Sequence, residues 1–270
     1  MVDQAYYKKG FQKSISNTHT WRTVENSGKF VTSVIKPNFK MLDAGCGPGT
    51  ITIDFAKNYL NEGGSIVGIE PTQQLIDSCN ELKRKENVKN AEFQLGSIYD
   101  IPFKDNTFDL IYSHQVLIHL EEPLKALKEL LRVTKPNGFI CIKDADLEAT
   151  VVSPKKYDLL KEFSILKAKN AVSTDTKAGR KLRSKAIKAG YDPKRIKSSI
   201  SQWLLADDLE DKRKFAEMFI DRIKNSGEIA YQDEAKNEKI KQKTIDAYNE
   251  WSKDEDSIYC ITNFEIIYQK

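Results

Sequence analysis

The chain has 270 residues, 40% of them hydrophobic and 30% charged, with a formal net charge of +4, which suits one full-sized α/β core carrying an insertion. No apolar run reaches the roughly 18–20 residues that a bilayer crossing needs, and the opening MVDQAYYKKGFQKS lacks the apolar centre of a secretory signal. Cys46, Cys79, Cys141 and Cys260 lie far apart with no Cys-x-x-Cys pair, so neither a zinc framework nor a disulfide scaffold is indicated, and a cytoplasmic, reducing compartment is the expectation.

Along the chain, short apolar runs alternate with amphipathic stretches, the pattern of a doubly wound parallel sheet with helices on both faces. Lys40–Ala44 predicts a first strand and Thr50–Asn61 the helix after it. Ser65–Glu70 reads as the second strand, Gln73–Lys85 as a helix, Ala91–Leu95 as the third strand and Phe108–Ser113 as the fourth. Glu122–Val133 is a helix stopped by Lys135-Pro136-Asn137-Gly138, and Phe139–Lys143 is a fifth strand. Beyond Asp146 the periodicity loosens. Pro154–Asn170 and Lys177–Ala189 read as helices, Ile196–Trp203 as a strand, Asp208–Trp251 as two or three polar helices, and Ser257–Tyr268 as the last strand. The expected organisation is one domain over 1–270: an N-terminal capping segment at 1–36, a ligand-binding half at 37–146, a helical lid with intervening sheet elements at 147–256, and the last strand at 257–270.

Met41–Thr50, MLDAGCGPGT, places three glycines in five positions between the first strand and its helix. Glycine allows the tight turn and close approach of a ligand to the backbone, while the helix start presents free N–H groups. A triphosphate loop needs a Lys that is missing here, and a dinucleotide loop needs its third glycine at position 50, where Thr50 stands. Glu70 ends the second strand about twenty residues on, where a carboxylate can accept both hydroxyls of a ribose.

The spelling Asp43-Ala44-Gly45-Cys46-Gly47-Pro48-Gly49 resembles the first motif of class I S-adenosylmethionine-dependent methyltransferases. Glu70, Gly96-Ser97, the run Leu95–Asp109 and Leu131–Gly138 (LRVTKPNG) match further segments of that family in the expected order. The resemblance implies a Rossmann-like seven-stranded sheet with the last strand antiparallel, and S-adenosyl-L-methionine as cofactor, leaving as S-adenosyl-L-homocysteine. It places the cofactor against Asp43, Gly45, Cys46, Gly47, Gly49, Glu70, Pro71, Leu75, Gly96, Ser97, Ile98, His114 and Gln115. Ser97 departs from the usual acid, which moves the adenine contact to its hydroxyl and the Ile98 N–H. Upstream, Ser14–Gly28 concentrates His19, Trp21 and Arg22. In families of this type such a segment closes over the cofactor, so Arg22 is expected on the methionine carboxylate and Trp21 over the sulfonium.

His114–Leu120 (HQVLIHL) after the fourth strand, with fainter matches at Asp144-Ala145-Asp146 and Ala178-Gly179-Arg180, resembles the small-molecule branch around ubiquinone and menaquinone methyltransferases. Methyl transfer from a sulfonium neutralises charge, so holding the reactants in line in a dry site carries much of the rate. His119, then His114, are the candidate bases for a protonated acceptor, and Asp144 or Asp146 could orient it. No metal site is expected. The partner is a small-molecule methyl acceptor, with no membrane span, and the chain a monomer or homodimer.

Two rival readings remain at this level. One is an RNA or tRNA methyltransferase using residues 155–197, which hold fourteen Lys/Arg against four Asp/Glu. Few aromatics to stack bases, and no Asn/Asp-Pro-Pro-Tyr/Phe motif after the fourth strand, speak against nucleic acid. The other is a cofactor-binding protein without turnover.

Overall fold

Strand β1 (Lys40–Ala44) runs through the middle of the sheet, and from Met41 onward every residue is buried, as in strands covered by helices on both faces. The computed structural model describes residues 12–171 and 173–270. On one side β1 pairs in parallel with β2 (Ser65–Glu70), which pairs with β3 (Ala91–Leu95); on the other it pairs with β4 (Phe108–His114), followed by β5 (Thr134–Ala145). Strand order therefore reverses between β1 and β4, the switch point at which open α/β sheets bind ligands. The last strand, β8 (Ile258–Gln269), runs antiparallel beside β5. Its residues Tyr259 and Cys260 pair with both β6 (Val151–Ser153) and β7 (Ile196–Leu205), and Asn263–Tyr268 pair with both β5 and β7. Hence β6 prolongs the line of β5 on one side of β8, while β7 closes the sheet on the other.

Period-two alternation divides the core into two layers. Met41, Ile66, Leu110, Tyr112 and Cys141 pack with α2 (Thr50–Asn58), α3 (Gln73–Lys85) and the N-terminal segment. Leu42, Val67, Ile111, Ile140 and Ile142 face the other way, onto α4 (Pro123–Val133) and α6 (Ala178–Lys188). Helix α6 can lie this close because position 179 is glycine. A Cβ there would stand 2.8 Å from the Phe264 ring and 2.9 Å from the Asp144 carbonyl oxygen.

A third core belongs to a cap made of α5 (Leu159–Asn170), α7 (Leu209–Asn225) and α8 (Glu234–Trp251). Phe215 sits at its centre, with ring centroids 4.4 Å from Phe219, 5.4 Å from Tyr259 and 6.1 Å from Trp251. Asp208 caps α7 by accepting from the Glu210 and Asp211 N–H groups, and Asp233 caps α8 by accepting from the Lys236 N–H. Of segment 147–256, then, α5, α7 and α8 form the cap, whereas α6 packs on a face of the sheet and β7 joins it beside β8.

The boundaries differ from the sequence expectation where backbone geometry overrides breaker residues. Lys135–Gly138 does not separate α4 from a strand at 139. The strand begins at Thr134, and register jumps from Phe108↔Thr134 to Leu110↔Phe139, so those residues form a bulge inside β5. Helix α2 stops at Asn58 rather than 61, and α5 starts at Leu159, after a 3-10 turn over Lys155–Tyr157. In the basic stretch, Lys156, Lys167, Lys177, Arg180, Lys181 and Lys185 each pair with a carboxylate. It is a set of structural ion pairs more than an open cationic stripe. Among the described residues no helix is long and apolar enough to cross a membrane.

Candidate functional site

The C-terminal end of β1 delivers the chain into the glycine loop, whose first turn is fixed by the Gly45 and Cys46 N–H groups donating to the Ile69 carbonyl. Gly45 has φ +86°, and a Cβ there would collide with Val116 at 2.4 Å, so the loop is pressed against the segment following β4. Gly47 has φ +54°, yet its missing Cβ would meet nothing within 4 Å. That glycine opens onto space.

The space is a cavity of about 90 Å³ walled by the loop, by Asp43 and Glu70 at the strand ends, by Tyr112 and His114 from β4 and Gln115 just after it, and by His19 and Arg22 from the N-terminal segment. Glu70 is 5% exposed. It accepts from the Gly47 N–H and from Thr72, and burial pushes its pKa up to about 7. Its Oε1 has no hydrogen-bond partner among the described residues. A buried carboxylate oxygen without a donor carries a free-energy cost, and two ribose hydroxyls would remove it. Asp43 is likewise raised to about 7 by burial and accepts from the Thr52 hydroxyl at 2.6 Å. These groups, with the open cradle at Gly47, fit S-adenosylmethionine.

A second cavity of about 130 Å³ adjoins the first under the cap, and His19, Arg22, Gln115 and His119 line both. Its walls are mainly apolar, with Ile118, Ala168, Phe215, Phe219, Tyr259 and Ile261, and its polar groups include Lys161, Lys167, Arg222 and Glu228. The wall between the cavities is held by a chain of contacts. The Arg22 guanidinium donates to Gln115 Oε1 at 2.7 Å, and Gln115 Nε2 donates to Asn263 at 3.1 Å. Gln115 takes φ +53°, a conformation sparsely used by side-chain-bearing residues and concentrated at functional sites. Trp203 anchors the N-terminal segment: its indole donates to the Asn26 carbonyl at 2.6 Å, Trp21 packs edge-on at 4.9 Å, and the Arg22 guanidinium lies 5.1 Å over its ring.

Of the residues expected to hold the cofactor, Arg22, Asp43, Gly45, Cys46, Gly47, Glu70, His114 and Gln115 line the first cavity. Trp21, Gly49, Pro71, Leu75, Gly96, Ser97 and Ile98 do not. Trp21 lines the second cavity instead. Gly49 is the N-cap of α2 against Cys79 and Phe93, Leu75 and Ile98 are core residues, and the Ser97 hydroxyl accepts from the Tyr99 N–H at 3.2 Å. Tyr112, Ile51, Val116 and Leu120 line the cavity without having been expected to hold the cofactor. Tyr112 carried a usable signal, since it stands two residues before His114 on the same face of β4.

The four candidate catalytic residues differ in their surroundings. Burial lowers the His119 pKa to about 3, with Arg222 acting in the same direction, so the imidazole is too weak a base near neutral pH. It stands 3.1 Å from the Thr174 hydroxyl through Nδ1. Burial and then Arg22 lower His114 well below its usual value, and neither of its ring nitrogens has a partner among the described residues. Asp144 and Asp146 line neither cavity. Lys143 turns toward Trp203 and Glu265, so Asp144, next along the strand, turns the other way and accepts from the Ile118 N–H at 3.3 Å. Asp146 is committed to the Arg180 guanidinium and to capping the turn at Leu147–Ala149. Among the described residues no group of His, Cys, Asp or Glu forms a metal site.

The family model "Methyltransferase domain" matches residues 35–207. An uncharacterised methyltransferase of Schizosaccharomyces pombe is 42% identical over 278 aligned positions, covering 100% of this chain and 98% of the relative. A demethylmenaquinone methyltransferase of Bacillus cereus is 32% identical over 110 residues, 40% of this chain and 46% of its own length. Among solved structures, a methyltransferase-like protein of Bacillus halodurans superposes with a TM-score of 0.58 at 15% identity, covering 89% of this chain and 96% of that one, a likeness of fold alone.

Proposed function

The chain belongs to the methyltransferase-domain family as a class I S-adenosylmethionine-dependent methyltransferase, and on that premise we propose that it methylates a small organic acceptor held in the cavity beneath the cap. The observation that carries this reading is the shared wall: His19, Arg22, Gln115 and His119 face both the cavity that fits the cofactor and the apolar cavity beside it.

When bound, the cofactor supplies an electrophilic methyl group on a sulfonium, which departs as a thioether as the acceptor's lone pair forms the new bond to carbon. Glu70 would take the ribose hydroxyls, the Gly45–Gly47 backbone would cradle the methionine half, and Arg22 would meet its carboxylate. The cap excludes water, and the wall sets the distance between acceptor and methyl group, so proximity and desolvation supply the acceleration. Burial holds His119 near 3 and also depresses His114, which favours an acceptor that needs no imidazole base. An acceptor atom that is already unprotonated, or that sheds its proton to solvent, fits this site.

Calorimetric titration tests the reading. S-adenosylmethionine and S-adenosylhomocysteine are expected to bind in the micromolar range and NAD not at all; failure of both sulfur compounds to bind would remove the cofactor assignment. Glu70 adds a pH signature. Its carboxyl ionises near 7, and the ionised form accepts the hydroxyls better. S-adenosylhomocysteine affinity should therefore rise about tenfold from pH 6 to pH 8, and the rise should vanish in Glu70→Gln. A pH-independent affinity in the wild-type protein would exclude Glu70 from the ribose.

A further inference from the structure

The cavity beneath the cap has a sign as well as a shape. Arg22 aside, which the cofactor carboxylate takes, three cationic side chains line it, Lys161, Lys167 and Arg222, against the single carboxylate of Glu228. Glu228 is spent within the protein. It accepts twice from the Arg222 guanidinium, at 2.7 Å each, and from Lys167 at 3.0 Å. Arg22 faces the cofactor cavity as well as this one.

What remains is concentrated on one face of α5. Lys161, Ser164, Lys167, Ala168 and Ala171 all line the cavity, positions spaced so that they share a helix side. Lys161 makes no ion pair among the described residues. The Lys167 ammonium has three donors and gives one of them to Glu228. Its side chain is only 15% exposed, and burial and Arg222 together hold its pKa at about 8 against the pull of Glu228. Uncompensated charge in so dry a place is costly unless a ligand supplies the counter-charge. Both lysines line the second cavity and not the first, so this charge lies away from the wall where methyl transfer takes place. The volume, about 130 Å³, is close to the ~150 Å³ of an engineered cavity that takes up benzene.

We propose that the acceptor is a compact, single-ring molecule carrying an oxyanion, a carboxylate or a phosphate, which Lys161 and Lys167 hold at the cap end while the opposite end of the ring meets the shared wall. The proposal rests on the reading of this cavity as the acceptor site. Ammonium-bearing acceptors are disfavoured by the same charges, and the cofactor's own sulfonium adds to the preference for an anion.

The test uses the full chain saturated with S-adenosylhomocysteine, in chloride buffer, titrated with benzoate, phenyl phosphate, benzyl alcohol and benzylamine. Benzoate or phenyl phosphate should bind at least tenfold more tightly than benzyl alcohol, with benzylamine weakest; whichever anion wins identifies the oxyanion. The Lys161→Gln/Lys167→Gln variant keeps the Arg222–Glu228 pair and should lose that preference while binding benzyl alcohol as before. Equal binding of benzyl alcohol and the anions, or an anion preference that survives in the double variant, would overturn the anion site and leave the cavity reading standing. If S-adenosylhomocysteine binds and none of the four ring compounds does, the acceptor cavity itself is wrong and the anion site falls with it.

Discussion

Gly47→Val is expected to weaken S-adenosylhomocysteine binding more than 100-fold while leaving the protein folded. Two effects combine at this position. The residue holds φ +54°, so any side chain brings strain of about 1–2 kcal/mol, which a domain of this size registers as a fall of roughly 2–8 °C in Tm. The isopropyl group would also project into space that no protein atom occupies within 4 Å, inside a cavity of only about 90 Å³. Strain alone does not block a ligand; bulk does. Gly63 separates the two, because it has φ +84° and equally open surroundings but does not line the cavity. Gly63→Val should show a similar Tm loss and unchanged cofactor affinity. Tight binding retained by Gly47→Val, or equal loss in both variants, would detach the glycine loop from the cofactor.

That loop was legible in the sequence because everything that makes it a binding device is local. A buried parallel strand reads as an unbroken apolar run, its end is marked by glycines, and the next strand ends on Glu70. Strands 40–44, 65–70 and 91–95 were accordingly placed to the residue. Where the chemistry depends on which way a side chain turns, the sequence misled. Asp144 and Asp146 stand after the fifth strand, where loops line a ligand crevice, yet one turns to the face opposite Lys143 and the other is occupied by Arg180. His119 has the residue type of a general base but a surrounding that strips it of basicity. Burial is a property of the folded neighbourhood, and no motif encodes it. The acceptor cavity is further still from sequence view. Its charged cluster joins Lys167 to Glu228 across 61 positions, and in the sequence Glu228 is one acid in a polar run between two helices. Among the aromatic residues of the cap core, Tyr248 and Trp251 stay within it, whereas Phe215 and Phe219 also reach the cavity.

Glu228→Gln is expected to cost about 3 kcal/mol of stability, the usual order for stripping a buried ion pair of one partner, and to lower Tm by roughly 6–12 °C. The side chain is 21% exposed against 11% for Arg222 and 15% for Lys167, so solvent screens the cluster only in part. Burial works to raise the Glu228 carboxyl, but Lys167 and Arg222 outweigh it and hold the group well below the ordinary glutamate range. A carboxyl depressed on folding stabilises the native state fully above its unfolded value of about 4.5 and loses that contribution as pH falls below it. Wild-type stability should therefore drop through the acid range by more than that of Glu228→Gln, and the two melting curves should converge at low pH. The two cations supply the internal check. Adding Lys167→Gln to Glu228→Gln removes one of the two cations that have lost the Glu228 carboxylate and should recover part of the loss, a non-additivity that independent sites do not show. A cost below 1 kcal/mol with no acid convergence would mean that the three charges are not coupled, and that the cap is held by its aromatic core alone.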